Sequence, residues 1–349
     1  MFKFKYFLEE KKMVNSKENS RIVWLDALKG IGILLVIVSH SNCQLPFVNF
    51  FTAGYIQLFF IAAGFTYRPS LNSISFCRKK AIRLLLPYFT YGLVTLLFFA
   101  LMGGQNFLKG ICGLLYGCYS LQAYPNCDFR ILPIGAQPLW FLPAMFSAYM
   151  VLCVKEWIAK EKRLFFFILI LVIQLGLSCQ TYLLPWSLDI AIFFALCILF
   201  GALFKEYFFF EKRKGIFFVV LLIYGLLICI NKSINLSIRE FGSFRYISLI
   251  LSYIIGVVYT FILSYICRQF EKNIFIGILA KIGNCSMRLM CIHYPIMIFV
   301  SDFLWHLNIT GINQFLLLMI QMSVIGLITI LIQLAVDRFS SHFSLLKYI

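Results

Sequence analysis

Charge is scarce in this chain. Of its 349 residues only 13% are Asp, Glu, Lys or Arg, against roughly a quarter in a soluble domain. Acidic residues are scarcer than basic ones, 14 against 31. This scarcity excludes an ordinary soluble enzyme, and 62% hydrophobic residues exclude a disordered chain. There are 12 cysteines but no CxxC pair and no Cys/His ligand spacing, so neither a disulfide-built domain nor a structural metal site is indicated. Cys153, Cys197, Cys229, Cys267 and Cys291 lie inside apolar runs and act there as small hydrophobes. Cys112, Cys118 and Cys127 share one loop, where they could pair if it faces an oxidising space. Internal repeats, low-complexity tracts and domain linkers are missing too. Residues 1–21 have no uninterrupted apolar core, and no small-residue cleavage site follows the first long run, so that run reads as a retained anchor.

What the sequence has instead is apolar length, with a mean hydropathy of +0.90. Runs of this kind are stable where lipid replaces water. Reading them against breakers predicts spans at about 22–43, 47–67, 82–103, 138–155, 164–180, 187–204, 215–231, 244–267, 286–306 and 312–336. The expected fold is an all-α membrane protein, a polytopic bundle of about ten transmembrane helices with both termini cytoplasmic. It divides into a cytoplasmic tail over 1–20, a membrane-embedded domain over 21–337 and a second tail over 338–349. The expected location is the cell (inner or plasma) membrane.

The net charge of +17 supports this count. With the N-terminus inside, 25 of the 31 basic residues fall on inner segments and five on outer loops (Lys109, Arg130, Lys232, Arg239, Arg245), while Arg288 lies at the inner end of the ninth span. That asymmetry follows the positive-inside rule. Because the basic residues are split among short loops, they give no basis for nucleic-acid binding. The one sizeable outer loop, about 104–137, is either a solvated connector or a cap over an outward cavity.

Ionisable side chains within spans are costly and usually functional. Asp26, Lys29, Ile33, Val36 and His40 fall at helical spacing on one face of the first span. Lys29 and His40 are eleven residues apart, roughly 16 Å along a helix axis. The stripe is either an interfacial ion pair with a packing histidine or a functional seam. In the second span Phe59, Phe60, Ala62, Ala63 and Gly64 permit close helix approach. A basic loop follows with Arg68, Arg78, Lys79, Lys80 and Arg83, which sets topology or holds an anionic ligand. Within this set Arg83, at the membrane edge before Pro87, stands out. Trp140 is either an interfacial belt residue or a stacking platform for a sugar ring. Asp189 and Asp302 lie near outer span ends, where a carboxylate can hydrogen-bond hydroxyls. His293 precedes Pro295, and such a histidine is commonly a packing residue; with Trp140, Asp189 and Asp302 it forms the set expected to bind the acceptor.

Taken in order, RIVWLDALKGIGILLVIVSH, FFIAAGF, RLLLPY, PLWFLPAMF, LPWSLDIAIFFALCILFGALFK and IGNCSMRLMCIHYPIM resemble the acyltransferase-3 family of integral membrane acyltransferases. Within it they look closest to the fucose 4-O-acetylase-like branch. The resemblance runs from about residue 21 to 336. It implies an essential histidine preceded by a basic residue eleven positions earlier, matched here by His40 and Lys29, with Asp26 beside them. It maps the family's basic loop onto Arg68 and Arg78 to Arg83, and a ninth-span histidine onto His293. It further implies an acyl-CoA donor, acetyl-CoA foremost, on the cytoplasmic side, a carbohydrate acceptor, and no permanently bound cofactor or metal. Two departures stand out. Ala62-Ala63-Gly64 replaces a stretch that often has Ser before Gly, and no extracytoplasmic esterase-like domain is fused to the chain. The expected function is O-acyl transfer, probed against two rivals: a transporter or flippase for a lipid-linked sugar, and succinyl rather than acetyl transfer. Matched Gly/Pro-interrupted span pairs, a mark of many transporters, are missing.

Overall fold

A computed structural model describes residues 21–41, 51–68, 73–118, 120–121, 131–158, 162–177, 182–204, 214–231, 245–307, 309 and 312–339. The two expected tails, apart from Arg338 and Phe339, and Cys127 lie outside these residues. Among the described residues no β-strand forms, as expected of backbone that must satisfy its own hydrogen bonds in lipid. The α-helices are α1 (Val23–His40), α2 (Tyr55–Phe65), α3 (Ser73–Leu101), α4 (Phe107–Tyr116), α5 (Phe141–Trp157), α6 (Arg163–Leu177), α7 (Leu188–Phe204), α8 (Lys214–Asn231), α9 (Arg245–Gln269), α10 (Ile274–Asn284), α11 (Ser286–His306) and α12 (Gln314–Phe339). Short 3₁₀ turns, Gln137–Trp140 and Pro185–Ser187, lead into α5 and α7.

Among the described residues, seven helical stretches are long and apolar enough to cross a membrane: α1, α3, α9, α11, α12, and α5 and α7 with their leading turns. The remaining expected spans are covered by shorter apolar stretches in α2, α6 and α8. Side chains on the outer helices agree with a lipid surround. Phe165, Ile168 and Val172 on α6, Phe218, Leu222 and Leu226 on α8, and Leu327, Ile330 and Leu334 on α12 are all exposed.

Three segments differ from the sequence reading. The basic loop from Arg78 to Arg83 is helical, because α3 begins at Ser73 and takes in these residues. The expected inner connector after the eighth span contains α10, an apolar helix of 11 residues. The expected outer loop contains α4, capped by the Asn106 side chain, which accepts from the Lys109 N–H at 3.0 Å.

Two glycine crossings set the core. At α1 and α10, a Cβ on Gly30 would overlap the Leu279 carbonyl, and one on Gly283 would overlap the Asp26 carbonyl. At α2 and α7, Gly64 and Gly201 lie against each other's backbone, so the small residues of FFIAAGF do allow close approach. Between α2, α5 and α7 an aromatic cluster fills the centre: Phe60 stacks on Phe194 at 3.7 Å between ring centroids and tilts against Phe141 at 5.0 Å. At the basic end the Arg268 guanidinium lies over the Trp24 ring at 5.7 Å, joining the last turn of α9 to the start of α1.

Candidate active site

The stripe on α1 faces inward. Ile33 and Val36 are buried, and Lys29 donates to Asp26 Oδ1 at 3.1 Å near the start of the helix. His40 is the last residue of α1. The helix stops there because Ser41 turns extended (φ −81°, ψ 152°), its N–H and hydroxyl both donating to the Val38 carbonyl. Such bonds satisfy the orphan carbonyls of a helix end. His40 Nδ1 lies 2.8 Å from the Val36 carbonyl. A carbonyl only accepts, so Nδ1 carries the proton and Nε2 is the basic nitrogen. Ser39 Oγ adds a polar contact on the Tyr55 hydroxyl at 3.2 Å.

Directly against His40 stands α11. The His40 ring meets His293 edge-on at 5.2 Å between centroids and Tyr294 at the same separation. His293 is fully buried. Its Nδ1 sits 2.9 Å from the Leu289 carbonyl and 3.0 Å from that of Met290. The same argument therefore places the His293 proton on Nδ1. Its Nε2 is buried and has no hydrogen-bond partner among the described residues. Two imidazoles thus meet at the α1–α11 contact, each anchored to its own helix backbone through Nδ1, with an Nε2 lone pair left for chemistry.

The other sequence-derived candidates divide by position. Of the basic set on α3, Arg78, Lys79 and Arg83 are exposed. Lys80 is drawn inward. Its ammonium lies 3.6 Å from the centre of the Tyr149 ring and 5.3 Å from that of Phe76. Tyr67 completes this aromatic group and faces Lys155 at 5.9 Å. Arg68 is exposed just after α2. Beside Lys80, the thiols of Cys77 and Cys153 approach to 3.6 Å across α3 and α5. Cys112 is an exposed thiol, and the buried Cys118 thiol accepts from the Ser187 hydroxyl at 3.8 Å.

Trp140 is half-buried, stacked on Phe194 at 6.4 Å, so it joins the aromatic core rather than a lipid-facing belt. Asp189 is buried at the start of α7. Its carboxylate accepts from the Leu184 N–H at 3.2 Å and its carbonyl accepts from Gln174 at 2.9 Å. It thereby braces a turn in which Trp186 and Ser187 both hold positive φ. Asp302 is exposed nine residues beyond His293 on α11, about 13 Å along the axis, and stands apart from the histidines. Sequence reasoning overlooked Tyr294, Tyr149 and the inward turn of Lys155. The proline after Tyr294 and the aromatic at position 149 carry no periodic signal that would have singled them out.

Scanned against family models, the chain matches the acyltransferase domain of the acyltransferase-3 type over residues 22–335. It belongs to the acyltransferase-3 family. The match begins at the start of α1 and ends within α12, so both histidines and the basic start of α3 fall inside the family domain. The chain is accordingly a multi-pass membrane acyltransferase, a transferase of groups other than amino-acyl groups, in a family whose members commonly acylate carbohydrates. No curated protein and no solved structure matches it.

Proposed function

We propose that this acyltransferase moves an acyl group, acetyl foremost, from acyl-CoA on the cytoplasmic side to a hydroxyl of a cell-surface or lipid-linked glycan, with His40 at the reacting centre. The observation that carries the reading is the meeting of His40 and His293 at the α1–α11 contact. Lys29, paired to Asp26, lies on the same helix about 16 Å away, toward the end where the basic residues gather. A donor whose phosphates sit among Arg68, Arg78, Lys79, Lys80 and Arg83 can extend its pantetheine arm along α1 and bring its thioester to His40. Lys and Arg suit those phosphates, Lys as a point charge and Arg as a fork.

In this scheme the acceptor hydroxyl gives its proton to His40 Nε2 as its oxygen attacks the thioester carbonyl carbon. The C–S bond then breaks, and the CoA sulfur leaves, taking up the proton from the imidazolium. The glycan keeps the ester. A histidine suits both proton steps because its unperturbed pKa lies near neutrality. The fucose 4-O-acetylase-like resemblance favours acetyl as the group and a sugar as its destination.

Purified protein supplied with acetyl-CoA and a glycan acceptor tests this. His40→Gln keeps polarity and approximate size without a titratable base, and is expected to cut transfer by about 10²–10⁴-fold, with insertion and thermal stability unchanged. Near-normal transfer by His40→Gln would remove His40 from the chemistry. Transport of a labelled lipid-linked sugar into vesicles without thioester cleavage would replace the enzymatic reading with the flippase.

A further inference from the structure

The joint between α11 and the Gln137–Trp140 turn holds two unpaired acceptors. His293 Nε2 and Gln137 Oε1 are each shut away from the surface, and neither has a hydrogen-bond partner among the described residues. Their elements are in direct contact. Gly135, two residues before Gln137, lies so close to Pro295, two residues after His293, that a Cβ there would come within 3.1 Å of the proline Cα. Gly135 also holds φ +79°, so left-handed backbone and close approach both call for glycine. The turn is thereby locked against α11 with its glutamine beside the histidine helix.

Buried polar atoms are nearly always paired, and an unpaired one is destabilising. Two unpaired acceptors on contacting elements are costly unless something supplies donors. As placed, both atoms are acceptors. His293 spends its N–H on the Leu289 and Met290 carbonyls, leaving a lone pair at Nε2. Gln137 presents a carbonyl oxygen. Lipid chains offer no donor. Adjacent hydroxyls of a sugar ring offer two.

We propose that Gln137 and His293 together bind the acceptor as a vicinal diol, one hydroxyl donating to Gln137 Oε1 and its neighbour to His293 Nε2. The proposal rests on the acyl-to-hydroxyl reading above and adds a new acceptor-binding residue and a substrate class. A lone hydroxyl fills half of the site. A ring with two adjacent hydroxyls fills it, and a further hydroxyl of the same ring, lying against His40, is the one acylated.

The test is a double cycle between protein and acceptor. Full-length protein is given acetyl-CoA and the methyl glycosides of fucose, galactose and glucose, and the one used fastest is compared with its single-deoxy analogues. In the unaltered protein, deleting either hydroxyl of the bound pair is expected to raise the acceptor KM roughly three- to tenfold. Gln137→Met shows a similar rise with the parent glycoside, carried by acceptor KM rather than donor KM. It shows no further rise with the deoxy analogue that lacks the glutamine's hydroxyl. Its thermal midpoint does not fall, since Met matches the length and removes an unpaired acceptor. Additive losses in the cycle overturn the diol site. So does a lowered midpoint with all kinetic parameters impaired together, which makes Gln137 the holder of a structural water. Thioester cleavage without transfer to any glycoside overturns the diol site alone, whereas no thioester cleavage at all overturns the acyl-transfer reading beneath it.

Discussion

Among the basic residues, position within α3 separates side chains that the sequence presents as equals. Arg83 stands out in the sequence because it borders the membrane before Pro87, yet it is exposed, as are Arg78 and Lys79. Lys80 lies one turn beyond Phe76 and rests on Tyr149. A cation over an aromatic face contributes about 0.5–2 kcal/mol, which holds the ammonium in one place instead of sweeping the surface. We therefore expect Lys80→Gln to raise the donor KM by about ten- to hundredfold, the worth of one charged hydrogen bond. Lys79→Gln should change it little. Tyr149→Phe, which keeps the ring, should stay near the unaltered value while Tyr149→Leu moves toward Lys80→Gln. An unchanged donor KM in Lys80→Gln would return the whole basic set to topology alone.

Helices and their crossings answer to backbone contact more than to side-chain pattern. On α10, Gly283 and Gly277 look alike in the sequence but sit in different surroundings. A Cβ at Gly283 meets the Asp26 backbone, whereas nothing lies within 4 Å of one at Gly277. Gly283→Ala is expected to cost about 1–3 kcal/mol, as overpacking does. Gly277→Ala should be neutral or stabilising by up to about 1 kcal/mol, since Ala is the better helix former. Thermal unfolding in detergent distinguishes the two, and equal midpoints would mean that α1 and α10 are not in register. The same helices show what was legible beforehand. The bounds of α11 follow from its apolar run, which in the sequence lies between Asn284 and Asn308. The early start of α3 was hidden because Arg and Lys mark an inner loop by charge while also being good helix formers. The run in α10 was too short to read as a span. Lys29 and His40 could be paired by spacing along one helix, but the contact between His40 and His293 joins positions 253 residues apart, and no local periodicity encodes that. Gln137 carries no sequence signal at all. Its interest lies in what fails to reach it.

For the whole molecule, the charge bias implies that the start of α3 and the helix α4 face opposite sides of the membrane. Gly110 and Leu114 of α4 pack against Leu96 and Gly92, in the later part of α3, far from its basic first turns. Cys112 is an exposed thiol on α4. In protein whose other eleven cysteines are replaced by Ser, a membrane-impermeant maleimide is expected to label Cys112 in intact cells, and with Cys112 replaced as well, to reach Arg78→Cys only after permeabilisation. Labelling of both from one side would contradict the proposed sidedness. The α1–α10 crossing has one more consequence, for how the chain is made. The groove at Gly30 belongs to the first long helix, and the backbone that fills it, around Leu279 and Gly283, comes some 250 residues later. At the usual pace of translation, about 5–20 residues per second, that is a wait of roughly ten to fifty seconds. Throughout it, the first helix leaves the ribosome with an ion pair and an open notch but without its closest neighbour. A half-polar helix is therefore expected to need shelter in the bilayer until α10 has been made, and nascent chains stalled before Ile274 should be the forms that quality control removes first.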